Sequence, residues 1–197
     1  MIYTCKYKSP IGNILLAADE IGLTGLWFEG QKHFANTLSD EHISQETKIL
    51  TEAKKWLDIY FSGKEPEFTP PLNPEGTEFR HNVWQILLQI PYGQTITYGE
   101  IARKVAEMKN ISYMSAQAVG GAVGHNEISV IIPCHRVVGT NGSLTGYAGG
   151  IDKKIALLEL EHIDINAGTG KKTCRRKSDE EQIKEVAVKY VCRLHMR

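Results

Sequence analysis

The sequence lacks the long apolar runs and the paired cysteines that mark membrane and secreted proteins. Its longest apolar stretches, such as residues 130–132, fall far short of the roughly 20 residues that cross a bilayer. Residues 1–10 alternate polar and apolar side chains, unlike a signal sequence. Its cysteines lie far apart with no C-x-x-C pair, which argues against a disulfide framework or a zinc knot. We therefore expect a cytoplasmic protein that contacts no membrane.

The chain also has no net charge, since 23 lysines and arginines balance 23 aspartates and glutamates. A strongly basic domain is a frequent mark of nucleic-acid binding, but here residues 80–161 are nearly neutral and a clear basic excess occurs only after Glu161. The balanced charge therefore argues against nucleic-acid binding through a strongly basic domain, but it leaves a small, local contact with nucleic acid open. With 42% apolar residues and 7 prolines in 197 residues, the composition predicts a soluble globular chain of one or two small domains.

Residues 1–75 predict a sheet covered by a helix. Three short runs rich in β-branched and aromatic side chains, separated by turn residues, predict an antiparallel meander: residues 2–8, 14–18 and 23–29. Apolar residues recur at helical spacing over 47–61, so an amphipathic helix should cover one face of the sheet. A proline-rich stretch between Gly63 and Gly76 should run extended over the surface, and we place a domain boundary there.

Residues 76–166 predict a second, helical domain, so that the whole chain is expected to be α+β. Thr77 can cap a helix that ends before Pro91, and Thr97 with Glu100 forms a capping box ahead of the next helix. Two more helices are expected. One should begin near Ser115, and the other should span 151–161 with Ile151, Ile155 and Leu158 facing inward and Leu157 as a further candidate for that face.

The helix that begins near Ser115 has almost no large side chains. It contains the adjacent glycines Gly120 and Gly121, and each interior glycine costs a helix about 1 kcal/mol relative to alanine. Either a partner approaches its backbone closely, as the recognition helix of a helix-turn-helix requires, or the helix packs tightly on a neighbouring helix. The sequence leaves both interpretations open.

The end of the chain, residues 167–197, differs in composition from the rest. Residues 168–177 are polar and basic and predict a linker, and residues from Ser178 onward have the capping box and the spacing of an amphipathic helix. We assign no role to this segment.

A cysteine and a histidine occur side by side in the run IIPCHRVV at residues 131–138, which predicts the end of a buried strand. The thiolate of Cys134 would be a nucleophile, and His135 could act as its base, directly or through one water. A carboxylate usually fixes the tautomer of such a histidine, and Glu161 is a candidate. A Cys-His pair by itself is more often structural than catalytic, so both interpretations stay open at this point.

Residues 132–137 (IPCHRV) resemble the active-site signature of the O6-alkylguanine-DNA alkyltransferases. Asn126 stands eight residues before the cysteine and residues 147–150 (YAGG) follow it, as in that family, and the similarity extends over roughly residues 1–163. The resemblance implies an RNase H-like N-terminal domain with an antiparallel sheet. It also implies a winged-helix-like C-terminal domain whose helix-turn-helix binds the minor groove of double-stranded DNA.

The resemblance implies direct, irreversible and stoichiometric transfer of the alkyl group from O6-alkylguanine to Cys134, with O4-alkylthymine as a second candidate lesion. His135 would be the water-mediated base and Glu161 the group that orients it. Asn126 would hold the region of the thiol, and the Tyr98 hydroxyl would reach N3 of the leaving guanine. Because the target base is stacked in a duplex, it must rotate out into a pocket before it can react.

Two further sets of residues follow from the resemblance. The pocket for the alkylated base would be lined by Tyr147, Ala148, Gly149 and Val137. The DNA would be contacted by Gln117, Ala118, Gly121, Ala122 and Thr140. Gln117 departs from the family, whose members often carry an arginine at this position. We expect no metal, no cofactor and a monomer.

Three other functions remain possible from the residues. Some relatives recognise alkylated DNA without repairing it, but they carry tryptophan in place of the cysteine. A helix-turn-helix could belong to a transcription regulator, which would need a dimer. Cys134, His135 and Glu161 could also form a thiol hydrolase, which would turn over many times.

Overall fold

The computed structural model of the chain describes residues 1–166 and 173–176. Its N-terminal part is a four-stranded sheet in the order β3-β2-β1-β4. The strands are β1 (Ile2–Ser9), β2 (Gly12–Ala18), β3 (Leu23–Phe28) and β4 (His42–Ser44). β1, β2 and β3 form the predicted antiparallel meander, whereas β4 runs parallel to β1. We did not predict β4, because it has only three residues and all of them are exposed.

Helix α1 (Lys48–Phe61) packs on this sheet as its spacing predicts. Thr47 caps it, with the side chain accepting a hydrogen bond from the Leu50 backbone. The buried face is formed by Leu50, Ala53, Trp56, Leu57 and Tyr60. The Tyr60 side chain is completely buried, and its hydroxyl points to the candidate site described below.

The proline-rich connection between the two parts of the chain pairs with β3. The Leu23 backbone donates to the Pro71 carbonyl at 2.8 Å, and the Asn73 backbone donates to the Leu23 carbonyl at 2.6 Å. We predicted a stretch that only runs over the surface, because proline cannot donate to a ladder. Proline can still accept, and this is how Pro71 joins the edge of the sheet.

The C-terminal part consists mainly of packed helices with short strands between them. They are α2 (Glu78–Leu88), β5 (Ile96–Thr97), α3 (Tyr98–Met108), α4 (Ala116–Gly124), β6 (Val137–Val138) and α5 (Ile151–Leu160). The predicted caps at Thr77 and Ser115 are present, and so is the capping box of Thr97 and Glu100. α2, α3 and α4 pack against one another, and β6 pairs in parallel with β5. The mixed α+β class is confirmed, with a sheet at the N-terminal end and helices after it.

The buried face of α5 is shifted from the one predicted. Leu157 and Leu158 are buried as expected, but Ile151 and Ile155 are only partly buried. Lys154 takes an inward position instead and is completely inaccessible to solvent. Apolar periodicity cannot identify this residue, because a lysine on an amphipathic helix normally indicates the solvent face.

The chain continues beyond α5 as a hairpin of β7 (Ile163–Asn166) and β8 (Thr173–Arg176). The prediction of a linker over 168–177 is therefore wrong for residues 173–176, which pair with β7. The predicted helix from Ser178 lies outside the described residues. No helix of the described residues has both the length and the apolar character needed to cross a membrane.

The two parts of the chain meet along β3. The Leu26 backbone donates to the Glu127 carbonyl at 2.8 Å, and the Ser129 backbone donates to the Leu26 carbonyl at 2.9 Å. The buried Glu127 carboxylate also accepts a hydrogen bond from the Trp27 indole at 2.9 Å. The segment that leads to Cys134 is therefore held by the N-terminal sheet.

Candidate active site

The side chain of Asn126 ties the segment before Cys134 to the thiol itself. Its amide nitrogen donates to the Ile132 carbonyl at 2.8 Å and lies 3.0 Å from the Cys134 sulfur. Its amide oxygen accepts from the Ile128 backbone at 3.0 Å. Asn126 thus contacts both the turn and the sulfur.

Cys134 does not end a strand, as the sequence suggested, but begins a short 3-10 turn at Cys134–Arg136, and β6 follows that turn. Before it, the backbone of Val130 has a φ of 71°, and the Ile131 backbone donates to the Ser129 carbonyl at 2.9 Å. A β-branched residue is strained in this left-handed region. The strand-end prediction is wrong because these tight turns leave no extended backbone for a ladder.

His135 and Glu161 form a buried pair beside the cysteine. His135 Nε2 lies 2.8 Å from Glu161 Oε1, and neither side chain reaches solvent. The carboxylate also accepts from the Tyr60 hydroxyl at 2.7 Å, from Arg136 Nε at 2.8 Å and from the Gly93 backbone at 3.1 Å. Burial opposes its charged form, but the hydrogen bond from His135 together with the hydrogen bonds and the charge of Arg136 outweighs this effect and lowers the pKa of Glu161 well below its ordinary value.

This network determines which nitrogen of His135 can take up a proton. A charged Glu161 accepts the hydrogen on Nε2, which leaves Nδ1 with a lone pair. Nδ1 is buried and has no hydrogen-bond partner among the described protein atoms. Burial lowers the pKa of His135, although Glu161 opposes the shift. The ring is therefore neutral at pH 7 and can accept a proton at Nδ1.

The thiol of Cys134 is protonated at rest. Burial raises its pKa, although the Asn126 hydrogen bond and the charge of Lys154 act in the opposite direction. The sulfur is therefore not a preformed thiolate at neutral pH. An anionic sulfur has to form during a reaction, by proton transfer to a base.

Lys154 holds the chain on both sides of the site. Its ammonium donates to the carbonyls of Val137 at 2.5 Å, Thr145 at 3.0 Å and Gly146 at 3.3 Å. These bonds connect β6 to the loop that carries Tyr147. A buried charge is tolerated only when it is hydrogen-bonded in this way, and sequence spacing gave no sign of it.

A cavity of about 250 Å³ leads from the surface to Cys134. Of the predicted substrate-binding residues, Tyr147 and Ala148 line it. Val137 and Gly149 are not among its lining residues. Val137 is completely buried in the core, and a Cβ built on Gly149 would come within 2.8 Å of the Tyr147 ring. The roles of these two residues in substrate binding stay predictions.

Tyr98, at the start of α3, also lines the cavity, and its hydroxyl donates to the Thr145 carbonyl at 3.3 Å. Burial raises the pKa of Tyr98, so the hydroxyl keeps its proton at neutral pH. The hydroxyl has one proton, so it can donate to a group that enters the cavity by rotating away from the Thr145 carbonyl.

Helix α4 exposes most of the predicted DNA-contacting residues. Gln117, Ala118 and Gly121 are exposed, and Gln117 lines a groove together with Thr140 and Tyr98. Ala122 is the exception, because its side chain is buried in the core. Its assignment to the exposed face is wrong, since that position on the helix turns toward α2, where the Ala122 carbonyl accepts from Trp84 Nε1 at 3.1 Å.

Internal packing does not require the glycine at position 121. A Cβ built on Gly121 or on Gly124 would meet no atom within 4 Å, and one on Gly120 would make only ordinary contact with the Tyr98 ring. The alternative of tight helix packing is therefore excluded for Gly121. Its missing side chain leaves the outer surface of α4 open to a close approach.

Several residues of the site were missed from the sequence. Lys32, His33 and His125 line the cavity together with glycines of α4, and Tyr60 and Arg136 complete the shell of Glu161. Arg136 stands next to His135 in the signature run, which was a usable signal. Lys32 and His33 carry no motif, and only the folded chain brings them to Cys134.

Comparison with known proteins places these features in one family. Residues 78–163 match the family profile described as 6-O-methylguanine DNA methyltransferase, DNA binding domain, and residues 2–74 match its ribonuclease-like domain. The chain belongs to the 6-O-methylguanine DNA methyltransferase family. The methylated-DNA–protein-cysteine methyltransferase of Methanosarcina acetivorans is 46% identical over 161 residues, which is 81% of this chain and 98% of the relative. The protein of that name from Mycobacterium tuberculosis is 44% identical, over 82% of this chain and 93% of the relative.

Solved members of the methyltransferase family share the fold. The O6-methylguanine methyltransferase of M. tuberculosis superposes with a TM-score of 0.68 at 42% identity, covering 82% of this chain and 93% of the relative. A structure of the M. tuberculosis protein in complex with DNA has the same score of 0.68, covering 81% of this chain and 92% of the relative. The family member from Methanococcus jannaschii gives 0.55 at 30% identity, over 83% and 96% of the two chains.

Proposed function

We propose that this protein repairs DNA by moving the alkyl group from O6 of guanine onto the sulfur of Cys134, as a methylated-DNA–protein-cysteine methyltransferase. The observation that carries the proposal is the position of Cys134, at the buried end of an open cavity and in contact with Asn126. The names of the relatives support the same reaction.

The residues of the site supply each proton that the reaction must move. With the base in the cavity, the Cys134 thiol passes its proton to Nδ1 of His135, through one water, and Glu161 stabilises the imidazolium. The thiolate then attacks the alkyl carbon in line with O6. The sulfur–carbon bond forms as the carbon–oxygen bond breaks, and the electron pair of that bond remains on the guanine. The Tyr98 hydroxyl donates to N3 and relieves the negative charge.

The product explains why each molecule reacts once. The alkyl group ends in a thioether, and no group near Cys134 could hydrolyse such a bond. The transfer is therefore irreversible and stoichiometric. The reaction uses no metal or cofactor, and among the described residues no three His, Cys, Asp or Glu side chains are grouped as a metal site requires. Elemental analysis of the purified protein tests that expectation.

The base reaches the cavity by rotating out of a duplex bound through the minor groove. The exposed face of α4, with Gln117, Ala118 and Gly121, can approach the floor of a narrow groove because its side chains are few and small. Thr140 borders the same groove as Gln117 and would contact the backbone of the DNA. Repair of a single lesion needs one copy of the site, so the protein is proposed to act as a monomer.

The finer description of the fold belongs to the same proposal. Residues 1–75 would form an RNase H-like domain, in keeping with the ribonuclease-like description of the matching profile. Residues 76–166 would form a winged-helix-like domain in which α3 and α4 are the helix-turn-helix, and residues 167–197 a further segment of unknown role. A reactive thiol needs a reducing compartment, and this supports a cytoplasmic location.

The stoichiometry of methyl transfer tests the function. The protein is incubated with a large excess of duplex DNA that carries O6-methylguanine with a labelled methyl group, and the label bound to protein is counted. We expect one methyl group per protein molecule and no further reaction. Release of many labelled product molecules would indicate a hydrolase, and binding of the duplex without transfer would indicate a recognition protein or a regulator.

A further inference from the structure

The cavity has a basic side to which both parts of the chain contribute. Lys32 is exposed and Cys134 is buried, so Lys32 lies at the mouth of the cavity and Cys134 at its closed end. His33 and His125 are half-buried and line the cavity beside Lys32. We call Lys32, His33 and His125 the basic rim. No lining residue in the described part of the chain is acidic.

The basic rim is held in place by contacts between the two parts of the chain. The Lys32 backbone donates to the Ala148 carbonyl at 2.9 Å, which ties it to the loop that carries Tyr147. The rings of His33 and His125 stack with their centroids 4.4 Å apart and 25° between their planes. His125 Nδ1 lies 2.8 Å from the Gly121 carbonyl, so the pair is also anchored to α4.

The charge of Lys32 is available to a partner. Its ammonium forms no ion pair with any carboxylate of the described residues. The buried acidic group of this region, Glu127, is already bound by the Trp27 indole and by the Thr37 hydroxyl. The basic rim therefore presents one cation and two imidazoles to the mouth of the cavity, with no carboxylate paired to Lys32 and with Glu127 acting on His33 only through its charge.

The DNA chemistry of the proposed function brings a phosphate to this place. A nucleotide whose base fills the cavity stays joined to the phosphodiesters on either side of it, and these must lie near the mouth. α4 borders the mouth and has the sequence AQAVGGAVG, with no lysine or arginine to meet them. The cation has to come from another part of the chain.

We propose that the basic rim binds the phosphodiester next to the extruded nucleotide, so that the N-terminal part of the chain takes part in holding the DNA. This inference rests on the proposed function. The ammonium of Lys32 attracts the phosphate as a point charge, and the imidazole of His33 donates a hydrogen bond to one of its oxygens. His125, whose Nδ1 is bound to the Gly121 carbonyl, holds the His33 ring in place by stacking.

Salt dependence of DNA binding tests the role of Lys32. Binding of a duplex with one O6-methylguanine is measured with the Cys134→Ser protein, which cannot transfer the alkyl group, from about 50 to about 200 mM salt. Adding Lys32→Gln should lower the slope of log Kd against log salt by about 0.9, as expected for one lost phosphate contact, and weaken binding several-fold. Lys32→Arg should restore most of the slope. Lys64→Gln, at an exposed lysine that follows α1, is the matched control and should change neither quantity.

The possible results separate the two proposals. Binding that survives with an unchanged salt slope in Lys32→Gln overturns the basic rim and leaves the repair function standing. Failure of the Cys134→Ser protein to bind the alkylated duplex at any salt overturns both. Thermal unfolding of each variant shows that it is folded, so that a lost contact is not confused with a lost structure.

A pH series tests the imidazoles. Burial lowers the pKa of His33, and so do His125, Lys32 and Arg80, while Glu127 acts in the opposite direction. A phosphate at the rim favours the protonated ring, so DNA affinity should rise as the pH falls from about 8 to about 6. This increase in affinity should be smaller in the His33→Gln protein than in the protein with His33. An equal increase in the two would show that His33 does not contact the phosphate.

Discussion

Replacement of Gly121 by alanine should make the protein more stable and make it bind DNA less tightly. Alanine in a helix interior is favoured over glycine by about 1 kcal/mol, and a Cβ at this position meets no other atom within 4 Å. The full gain in helix propensity should therefore appear in the free energy of unfolding. For a chain of 197 residues, this raises Tm by about 2–4 °C.

The loss of DNA affinity follows from the same open space. If the glycine allows the minor groove to approach the backbone of α4, the methyl group of an alanine at position 121 should hold the groove away from the helix. We expect a loss of about tenfold in affinity, equivalent to about 1.4 kcal/mol. A larger residue, as in Gly121→Leu, should cost more.

Two measurements on each protein are needed, thermal unfolding and fluorescence anisotropy with a duplex that carries O6-methylguanine. Thr51→Ala is the control, because Thr51 is exposed on α1. Alanine raises helix propensity there too, but at a site far from α4. It should raise stability and leave binding unchanged. If Gly121→Ala raised both stability and DNA affinity, the explanation that the groove approaches this helix closely would be wrong. If it lowered stability, Gly121 would be packed against atoms that the structure does not place there.

Three other substitutions give distinct results. Gln117→Arg should tighten DNA binding several-fold at fixed salt, because it adds a cation where α4 has none; unchanged affinity would place Gln117 away from the DNA. Asn126→Ala removes the hydrogen bond to the sulfur at 3.0 Å, so the pKa of the Cys134 thiol should rise further and its alkylation by iodoacetamide near pH 7.5 should slow about tenfold; an unshifted pH–rate curve would contradict this. Glu161 has a lowered pKa in the folded protein, so its charged form stabilises the fold. This stabilisation is fully present above the unfolded pKa of about 4.3 and is lost as the pH falls through the lower, folded value. Glu161→Gln should therefore be about 3 kcal/mol less stable in denaturant titrations at neutral pH and lose less stability on acidification, and equal acid sensitivity of the two proteins would refute the assignment.

Local signals in the sequence identified most of the elements. The capping box of Thr97 and Glu100 begins α3 as predicted, and apolar spacing identified α1 because its buried side chains follow the helical period. The meander of β1, β2 and β3 followed from alternation and turn residues. β4 was missed because a strand of three exposed residues is too short to show a buried, alternating face.

The candidate site was predictable where its residues fall within one motif. Asn126, Cys134 and His135 lie close together in the sequence, and the structure brings Glu161 to within 2.8 Å of His135. Lys154 could not be predicted, since its inward position depends on carbonyls of β6 and of the following loop. These partners exist only after the chain has folded, and the same holds for Lys32.

The sequence could not predict which side of α4 faces solvent. Composition identified it as unusually bare, but every residue of the helix is small or apolar except Gln117, so the pattern could not tell the buried Ala122 from the exposed Ala118. The orientation is decided by contact with α2, where Trp84 donates to the Ala122 carbonyl.

The mass of the protein after reaction tests the central claim most directly. The intact chain is mixed with an equimolar duplex that contains one O6-methylguanine, weighed by mass spectrometry, digested and mapped. We predict that the whole population gains one methyl group on the peptide that contains Cys134, and that Cys134→Ser gains none. A methyl group on another residue, or an unchanged mass after the duplex has been bound, would contradict the proposal that Cys134 is the acceptor.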